Sequence, residues 1–319
     1  MTCSCPPRRG PERRTIWPVK PSRSRARALR ELAATLQDYV DRQPGESPYR
    51  TPAEGLIVLR GRQQRKPTHV LHRPALCVVA QGAKWTGFGA HRLRYAAGEA
   101  MLVTLDMPGA SQIAQGAADK PYLSLVIELD AAAMRETLER LGEQAAPRAP
   151  PAQGAFVLAL DTALIDCAAR AVRLLETPRA LPVLYALLMR EICYHLLSGP
   201  HGASIAHVMA GGERGQGLVR ALRALRERYD QPVRVEELAR LANLSPSAFH
   251  RRFKELAGQS PLQYQKTVRL LEARRMMLDG EANAQAAALR VGYESASQFH
   301  REYLRMFGAP PREDLRRLR

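Results

Sequence analysis

The sequence is short of aromatic residues, of acidic residues relative to basic ones, and of long apolar runs. Phe, Trp and Tyr together make up 6% of its 319 residues. No apolar stretch approaches the ~18 residues that a membrane-spanning helix needs. The opening MTCSCPPRRGPERR holds no apolar signal core, so a cytoplasmic protein is expected rather than a secreted or membrane one. The five cysteines have an odd count and no regular spacing, which argues against a disulfide framework. Cys3 and Cys5, one residue apart, make a poor zinc pair without partners elsewhere. Cys77, Cys167 and Cys193 fall in apolar segments and read as buried thiols. A phosphate-cradling Gly loop, a dinucleotide fingerprint and a Ser-His-Asp order are all missing. Neither a cofactor nor a catalytic residue is expected, so the chain does not read as an enzyme.

What is present is positive charge, and it has a location. The 48 Lys/Arg exceed the 31 Asp/Glu to give +17. Residues 1–30 carry nine basic residues against one acidic, a net of +8, and residues 210–319 carry 21 against 13, again +8. The middle, 31–209, has 18 against 17. The first 27 residues mix Arg, Pro and Ser with few core formers and are expected to be a disordered basic tail. The C-terminal excess suits a phosphate-backbone partner.

That basic region contains an internal repeat. Val233 to Ala257, VRVEELARLANLSPSAFHRRFKELA, returns as AALRVGYESASQFHREYLRMFG from Ala287 to Gly308. Phe249-His250-Arg251 becomes Phe299-His300-Arg301, Phe253 becomes Tyr303, and Gly258 and Pro261 become Gly308 and Pro311. Upstream the frame slips by one residue, so that Ala242-Asn243-Leu244 matches Val291-Gly292-Tyr293, as a turn of unequal length would require. In the first copy Val235, Leu238, Ala239 and Ala242 form one apolar helical stripe. Asn243, tolerant of left-handed backbone, marks the turn. Ser245 and Pro246 open the second helix and Gly258 ends it. Phe249, Phe253 and Leu256 face inward, and Ser247, His250, Arg251 and Lys254 face outward. The second copy follows suit, with Gly292 at the turn, Ser295 at the cap, Phe299 and Tyr303 inward, and Ser297, Gln298, His300, Arg301 and Arg305 outward. Two helical hairpins with solvated charged faces would share the periodicity but not the repeated inward aromatics and outward His-Arg. The pattern is a paired helix-turn-helix, whose second helices suit a major groove.

From about Arg220 onward the chain resembles the DNA-binding domain of the AraC/XylS family of transcription regulators. The resemblance is carried by LARLANLSPSAFHRRFKELAGQSPLQY, the linker helix VRLLEARRMML, and VGYESASQFHREYLRMFGAPPREDLR. It implies two recognition helices entering successive major grooves of promoter DNA. Ser247, His250 and Arg251 would face bases from the first, and Ala296, Ser297, Gln298 and Arg301 from the second. Lys254, His300 and Arg305 are expected on phosphates, which position without specifying. Ala287 stands where the family usually has a larger aliphatic, which predicts a lightly packed second unit.

Between Gly55 and Leu129 the pattern changes to short runs bounded by Gly and Pro, namely LIVLRG, ALCVVAQG, KWTGFG, HRLRYAAG, EAMLVTL, SQIAQG and YLSLVIELD, the mark of a small β-barrel or sandwich. The pieces P-x-L-C-V-V-x-Q-G, Y-x-x-G-x-x-x-L-V and P-Y-L-S-L-V-I also resemble the AraC-type regulatory domain, a cupin-like barrel, which implies a small-molecule effector inside it. Cys77 and Gln81 are the candidate effector-sensing residues. His69, His72 and His91 lack the His-x-His pairing that a cupin metal site needs. His69 and His72, ahead of Pro74, read as solvated loop histidines, and no metal site is expected.

Flanking elements complete the organisation. Ser24 to Tyr39 reads as a helix with Leu29, Leu32 and Leu36 on one face. After an Ala/Pro hinge at 143–154, Asp161 caps a helix striped by Leu164, Ala168, Ala171, Val172 and Leu175. Leu181 to Leu197 is apolar nearly all round and is expected to be buried, either on its own domain or in a homodimer. The expected fold is α+β: a disordered tail over 1–27, a cupin-like β-barrel with flanking helices over 28–200, a linker over 201–216, and an all-α domain of two helix-turn-helix units joined by a linker helix over 217–319. The resemblance implies double-stranded promoter DNA, a small-molecule effector and RNA polymerase as partners. A non-specific architectural DNA binder and a cupin-type enzyme with an appended DNA module remain as alternatives.

Overall fold

In the computed structural model, described here over residues 22–142, 153–209 and 213–318, two β-sheets face one another and carry helices on one outer side. Cys3, Cys5 and most of the expected tail and hinge lie outside those residues. Helix α1, Arg23–Asp41, is capped by Ser22 and already includes residues assigned by sequence to the tail. One sheet has six strands, β1 (Tyr49–Arg50), β2 (Leu56–Gly61), β4 (Ala75–Gln81), β7 (Glu99–Val103), β9 (Tyr122–Glu128) and β10 (Ala155–Ala159), in the order β1-β2-β9-β4-β7-β10. The other has four, β3 (Thr68–His72), β5 (Ala83–Phe88), β6 (His91–Ala96) and β8 (Met107–Gln115), in the order β3-β8-β5-β6. The expected cupin-like strands are therefore two facing sheets and not a hydrogen-bonded closed barrel.

Strand β4 explains why ALCVVA reads as an unbroken apolar run. Its alternate residues are buried on both sides of the sheet. Leu76, Val78 and Ala80 pack toward the helices, in a core with Leu32 and Leu36 of α1 and Ile165 and Ala168 of α3 (Thr162–Arg173). Cys77 and Val79 face the opposite sheet, in a core with Tyr95, Met101, Ile113 and Tyr122. The sequence reading missed α2, Ala131–Leu141, which Asp130 caps and Met134 anchors. It was right about Asp161, whose carboxylate caps α3 at the amide of Leu164. Helix α4, Leu181–Ser198, is not buried all round. Leu188, Ile192 and Leu196 pack inward, while Val183, Leu184, Leu187 and Tyr194 are exposed.

The expected linker at 201–216 is largely helical, since α5 spans Gly202–Met209 and α6 spans Glu213–Glu227. Ile205 and Val208 of α5 are buried, so the Gly-rich composition hid a packed element. The C-terminal units follow. The first is α7 (Val235–Leu241) with α8 (Pro246–Ala257). Helix α9 (Pro261–Leu278) links it to the second, α10 (Ala284–Arg290) with α11 (Ala296–Phe307), and α12 (Pro311–Leu318) closes the chain. Ala287 is fully covered in the second unit's core, among Leu270, Met277, Phe299 and Tyr303. A buried Arg274–Asp314 pair, bidentate at 2.8 Å on both oxygens, ties α9 to α12, and the Tyr303 hydroxyl donates to the same carboxylate. Removing one partner of such a pair costs about 3–5 kcal/mol, because the other is left charged and buried.

The histidine reading needs a correction. His69 and His72 do not lie in a solvated loop. They belong to β3, a polar strand recognisable only through its pairing with β8. His72 sits against Phe88, with Nε2 3.3 Å from Ser111 Oγ. Burial holds its imidazole down at about 3, and the neighbouring Lys84 charge acts in the same direction. Between pH 6.5 and that value the unfolded imidazole binds a proton that the folded one refuses. Stability therefore falls as pH drops through this window. Urea denaturation should show the loss between about pH 7 and pH 5, and His72→Gln should flatten it. An unchanged pH slope in that variant would assign the effect to other groups.

Candidate nucleic-acid interface

The two turns that aim the reading helices are built alike. Asn243 has φ +52°, the one positive φ outside glycine among the described residues, and Gly292 has φ +84°. After each, a backbone amide closes back onto the preceding helix, Leu244 onto the carbonyl of Ala239 at 2.9 Å and Tyr293 onto that of Ala288 at 3.0 Å. The one-residue slip of the repeat is the added Glu294 ahead of the second cap. Ser245 and Ser295 then accept the amides of Ala248 and Gln298, and Gly258 and Gly308 end the helices at φ +73° and +72°.

Each reading helix buries its aromatics and exposes its polar face. Phe249 and Phe253 on α8, and Phe299 and Tyr303 on α11, are wholly buried. Ser247, His250, Arg251 and Lys254 are exposed on α8, as are Ala296, Ser297, His300, Arg301 and Arg305 on α11. Two candidates are engaged within the protein. The Gln298 amide donates to Glu302 Oε1 at 3.3 Å, and His300 Nδ1 lies 2.7 Å from the carbonyl oxygen of Ala296. Arg251, Lys254, Arg301 and Arg305 make no hydrogen bond or ion pair with any described residue. Other arginines of the domain are committed: Arg226 to Glu272, Arg274 to Asp314, and Arg275 to Glu272, Asp279 and Glu281.

The residue that sequence reasoning overlooked is Arg269, on α9. Its Nε donates to the carbonyl of Tyr229 at 2.6 Å, Nη1 to that of Gly292 at 2.8 Å, and Nη2 to those of Asp230 and Gln231 at 3.0 Å. One guanidinium thus fastens the chain after α6, in the first unit, to the turn of the second. A Cβ at Gly292 would collide with the carbonyl of Asp230, so the turn is glycine for packing as well as for φ. Nothing local in VRLLEARRMML distinguishes this arginine from its neighbours.

The helical domain is also docked on the sheets. The amide of Ala90 donates to the carbonyl of Gly258 at 3.0 Å and that of Gly154 to Leu256 at 3.2 Å. The Tyr264 hydroxyl donates to the carbonyl of Asp106 at 2.7 Å, and His69 packs edge-on against Phe307. Gly89 and Gly258 meet backbone to backbone, where a Cβ on either would overlap the other strand of chain. The outward faces of α8 and α11 stay clear of this interface.

Of the effector candidates, Cys77 faces the space between the sheets, and burial pushes its thiol up to about 11, the nearby Lys84 charge opposing. A thiol so placed is protonated at neutral pH and a weak nucleophile. The Gln81 amide donates to the carbonyl of Pro121 at 2.7 Å, holding the turn before β9. A groove of about 250 Å³ lies close by, lined by Gln63, Gly82, Gln115 and Lys120. Among the described residues, Cys167, Glu191 and His195 are the group of side chains with metal-ligand spacing. Arg170 already fills it, with Nη2 2.5 Å from Glu191 Oε1 and 3.4 Å from Cys167 Sγ. No helix among the described residues is long and apolar enough to cross a membrane.

Comparison with known proteins bears on the same two regions. A family model described as the AraC-type transcriptional regulator N-terminus matches residues 52–204, and one described as a helix-turn-helix domain matches residues 238–317. The chain is 27% identical over 146 residues to the HTH-type transcriptional regulator ArgR of Pseudomonas aeruginosa, covering 39% of this chain and 44% of that protein. It is 35% identical over 85 residues to the RCS-specific HTH-type transcriptional activator RclR of Escherichia coli K12, covering 27% of this chain and 30% of that one. The match therefore spans less than half the length of these relatives, which are regulators and not enzymes. Among solved structures, unsaturated fatty acid-bound wild-type ToxT from Vibrio cholerae shares the fold, with a TM-score of 0.55 and 10% identity over 84% of this chain and 97% of that one. A two-sheet domain followed by a paired helix-turn-helix, each matched to its family model, places the chain in the AraC/XylS family of transcription regulators.

Proposed function

We propose that this protein is a sequence-specific DNA-binding regulator whose two reading helices take successive major grooves, under control of a small molecule bound by the two-sheet domain. The observation that carries the DNA reading is the contrast among its cations. Arg251, Lys254, Arg301 and Arg305 stand exposed and without partners on the two outward faces, while the arginines behind them are spent on structure. A cation held out of every internal pairing suits an external anion or base edge. Arg251 and Arg301 are assigned to base edges, along with Ser247, His250, Ala296 and Ser297. Lys254 and Arg305 are assigned to phosphates. Gln298 reads a base only after leaving Glu302, and His300 reaches a phosphate only after leaving the carbonyl of Ala296.

Effector control is supported by the domain order and by the docking of the helical domain on the sheets. A neighbour of the same fold is described with an unsaturated fatty acid bound, the fold being all that the two share. A ligand shifts such a docked arrangement only by its different affinity for the docked and released forms. The exposed stripe of Val183, Leu184, Leu187 and Tyr194 on α4 supports a homodimer. Contact with RNA polymerase follows from the family alone.

Two variants test the DNA reading, using the protein's own upstream DNA at physiological salt. Arg301→Ala should lose about 1–3 kcal/mol of affinity and relax the preference at one base position; unchanged affinity and preference would remove that contact. Arg269→Ala should lower affinity for the two-half-site DNA by ~10-fold or more while leaving single half-site binding intact, because the second unit is no longer held in place. Equal losses on both DNAs would make Arg269 a general stabiliser and not a positioning residue.

A further inference from the structure

Strand β5 carries a lysine that the rest of the molecule does not use. Alternation puts Lys84, Thr86 and Phe88 on one face of the strand, and Thr86 and Phe88 are fully buried there. Trp85 points the other way, under the guanidinium of Arg92. Lys84 therefore faces the space between the sheets, where its cross-strand partners are Tyr95 and Ile113. From the opposite sheet Cys77 lies close enough for the two groups to feel each other's charge. Protein surrounds the lysine, and burial lowers its pKa. It nevertheless keeps accessible surface and makes no hydrogen bond or ion pair with any described residue.

That is an unusual state for an enclosed cation. A buried charge without a partner is unfavourable, and the other deep cations here all have one. Arg226 and Arg274 hold carboxylates, and Arg25 donates to the carbonyl of Gly98 at 2.7 Å. The hydroxyls nearby offer Lys84 no counter-charge. Tyr95, Thr86 and Ser111 bond one another, and Ser111 lies against His72, which burial keeps neutral.

We propose that Lys84 is the anion-binding residue of an effector site between the sheets, and that the effector is a small, largely apolar molecule bearing a single carboxylate. The proposal rests on the reading of this domain as the effector domain. One ammonium matches one negative charge, and a phosphate dianion would need a second cation that this face does not offer. Val79, Met101, Ile113 and the ring of Tyr122 supply an apolar wall for the remainder of the molecule. The site also has a route outward. Phe88, two residues along the same face, leads into Gly89, whose backbone meets Gly258 at the end of the first reading helix. A ligand that shifts β5 acts directly on that contact.

The test uses the full-length protein, wild type, Lys84→Met and Lys84→Arg, and follows thermal unfolding with a panel of matched probes. The acids are butyrate, octanoate, benzoate and phenylacetate. The uncharged counterparts are 1-octanol and phenylacetamide, and inorganic phosphate serves as the anion without an apolar body. At least one acid should raise the wild-type Tm by roughly 3–6 °C near a hundredfold excess over its Kd. Its uncharged counterpart and phosphate should not, Lys84→Arg should keep the response and Lys84→Met should lose it. Without ligand, Lys84→Met should melt no lower than wild type, since it removes an uncompensated charge. Equal stabilisation by the uncharged probes would overturn the carboxylate class while leaving an effector domain. An acid response that survives in Lys84→Met would overturn the role of Lys84. A panel without any response would overturn the proposal together with the effector reading on which it rests.

Discussion

The arrangement that the rest of the molecule depends on is the grip of Arg269 on four backbone carbonyls. A helix-turn-helix unit alone fixes its own reading helix, through a cap, a turn and two or three buried aromatics. Nothing inside either unit fixes one helix relative to the other. That relation is set by α9 and by one guanidinium that accepts Tyr229, Asp230 and Gln231 on one side and Gly292 on the other. Gln265 reinforces the first side through the carbonyls of Tyr229 and Gln231. A planar group with five donors suits this task and an ammonium does not. The second unit is held further by Arg274, Asp314 and Tyr303, which join three helices around one buried carboxylate. Two half-sites on DNA can be read in fixed register only because these joints are rigid.

The same rigidity extends to the sheets. The inner face of the six-stranded sheet and the core of the first helix-turn-helix unit form one continuous apolar cluster, from Cys77 and Met101 to Phe249 and Tyr264. The polar contacts at its edge are mostly to backbone, as with Tyr264 on Asp106 and Ala90 on Gly258. Backbone contacts of this kind report the position of a strand and are indifferent to side-chain identity. A small displacement of β5 or β8 is thereby passed to α8 or α9 as a displacement of the helix. The paired glycines Gly89 and Gly258 permit an approach that no side chain would allow.

What was legible in the sequence was what short-range physics determines. Asn243, Gly292, Ser245, Ser295, Gly258 and Gly308 announce their turns and caps by residue type alone, and the inward aromatics follow from helical spacing. Strand β4 was legible because burial on two faces leaves an unbroken apolar run. Strands β3 and β10 were not, because THVLH and AFVLA become strands through partners distant in the chain. Helices α2 and α5 were hidden by Ala, Gly and Ser, which keep their stripes short. The solvated reading of His72 failed for the same reason as β3: burial is a property of the pairing. Arg269 and Lys84 could not be singled out by any local rule. One is defined by four carbonyls brought together from two segments, and the other by the absence of a partner inside a folded space.

The most direct measurement is a hydroxyl-radical footprint of the full-length protein on its own upstream DNA. Two reading helices locked by Arg269 predict two protected blocks on one face of the duplex, about one helical turn (~10 bp) apart. A single block, or uniform protection without a preferred position, would contradict the account.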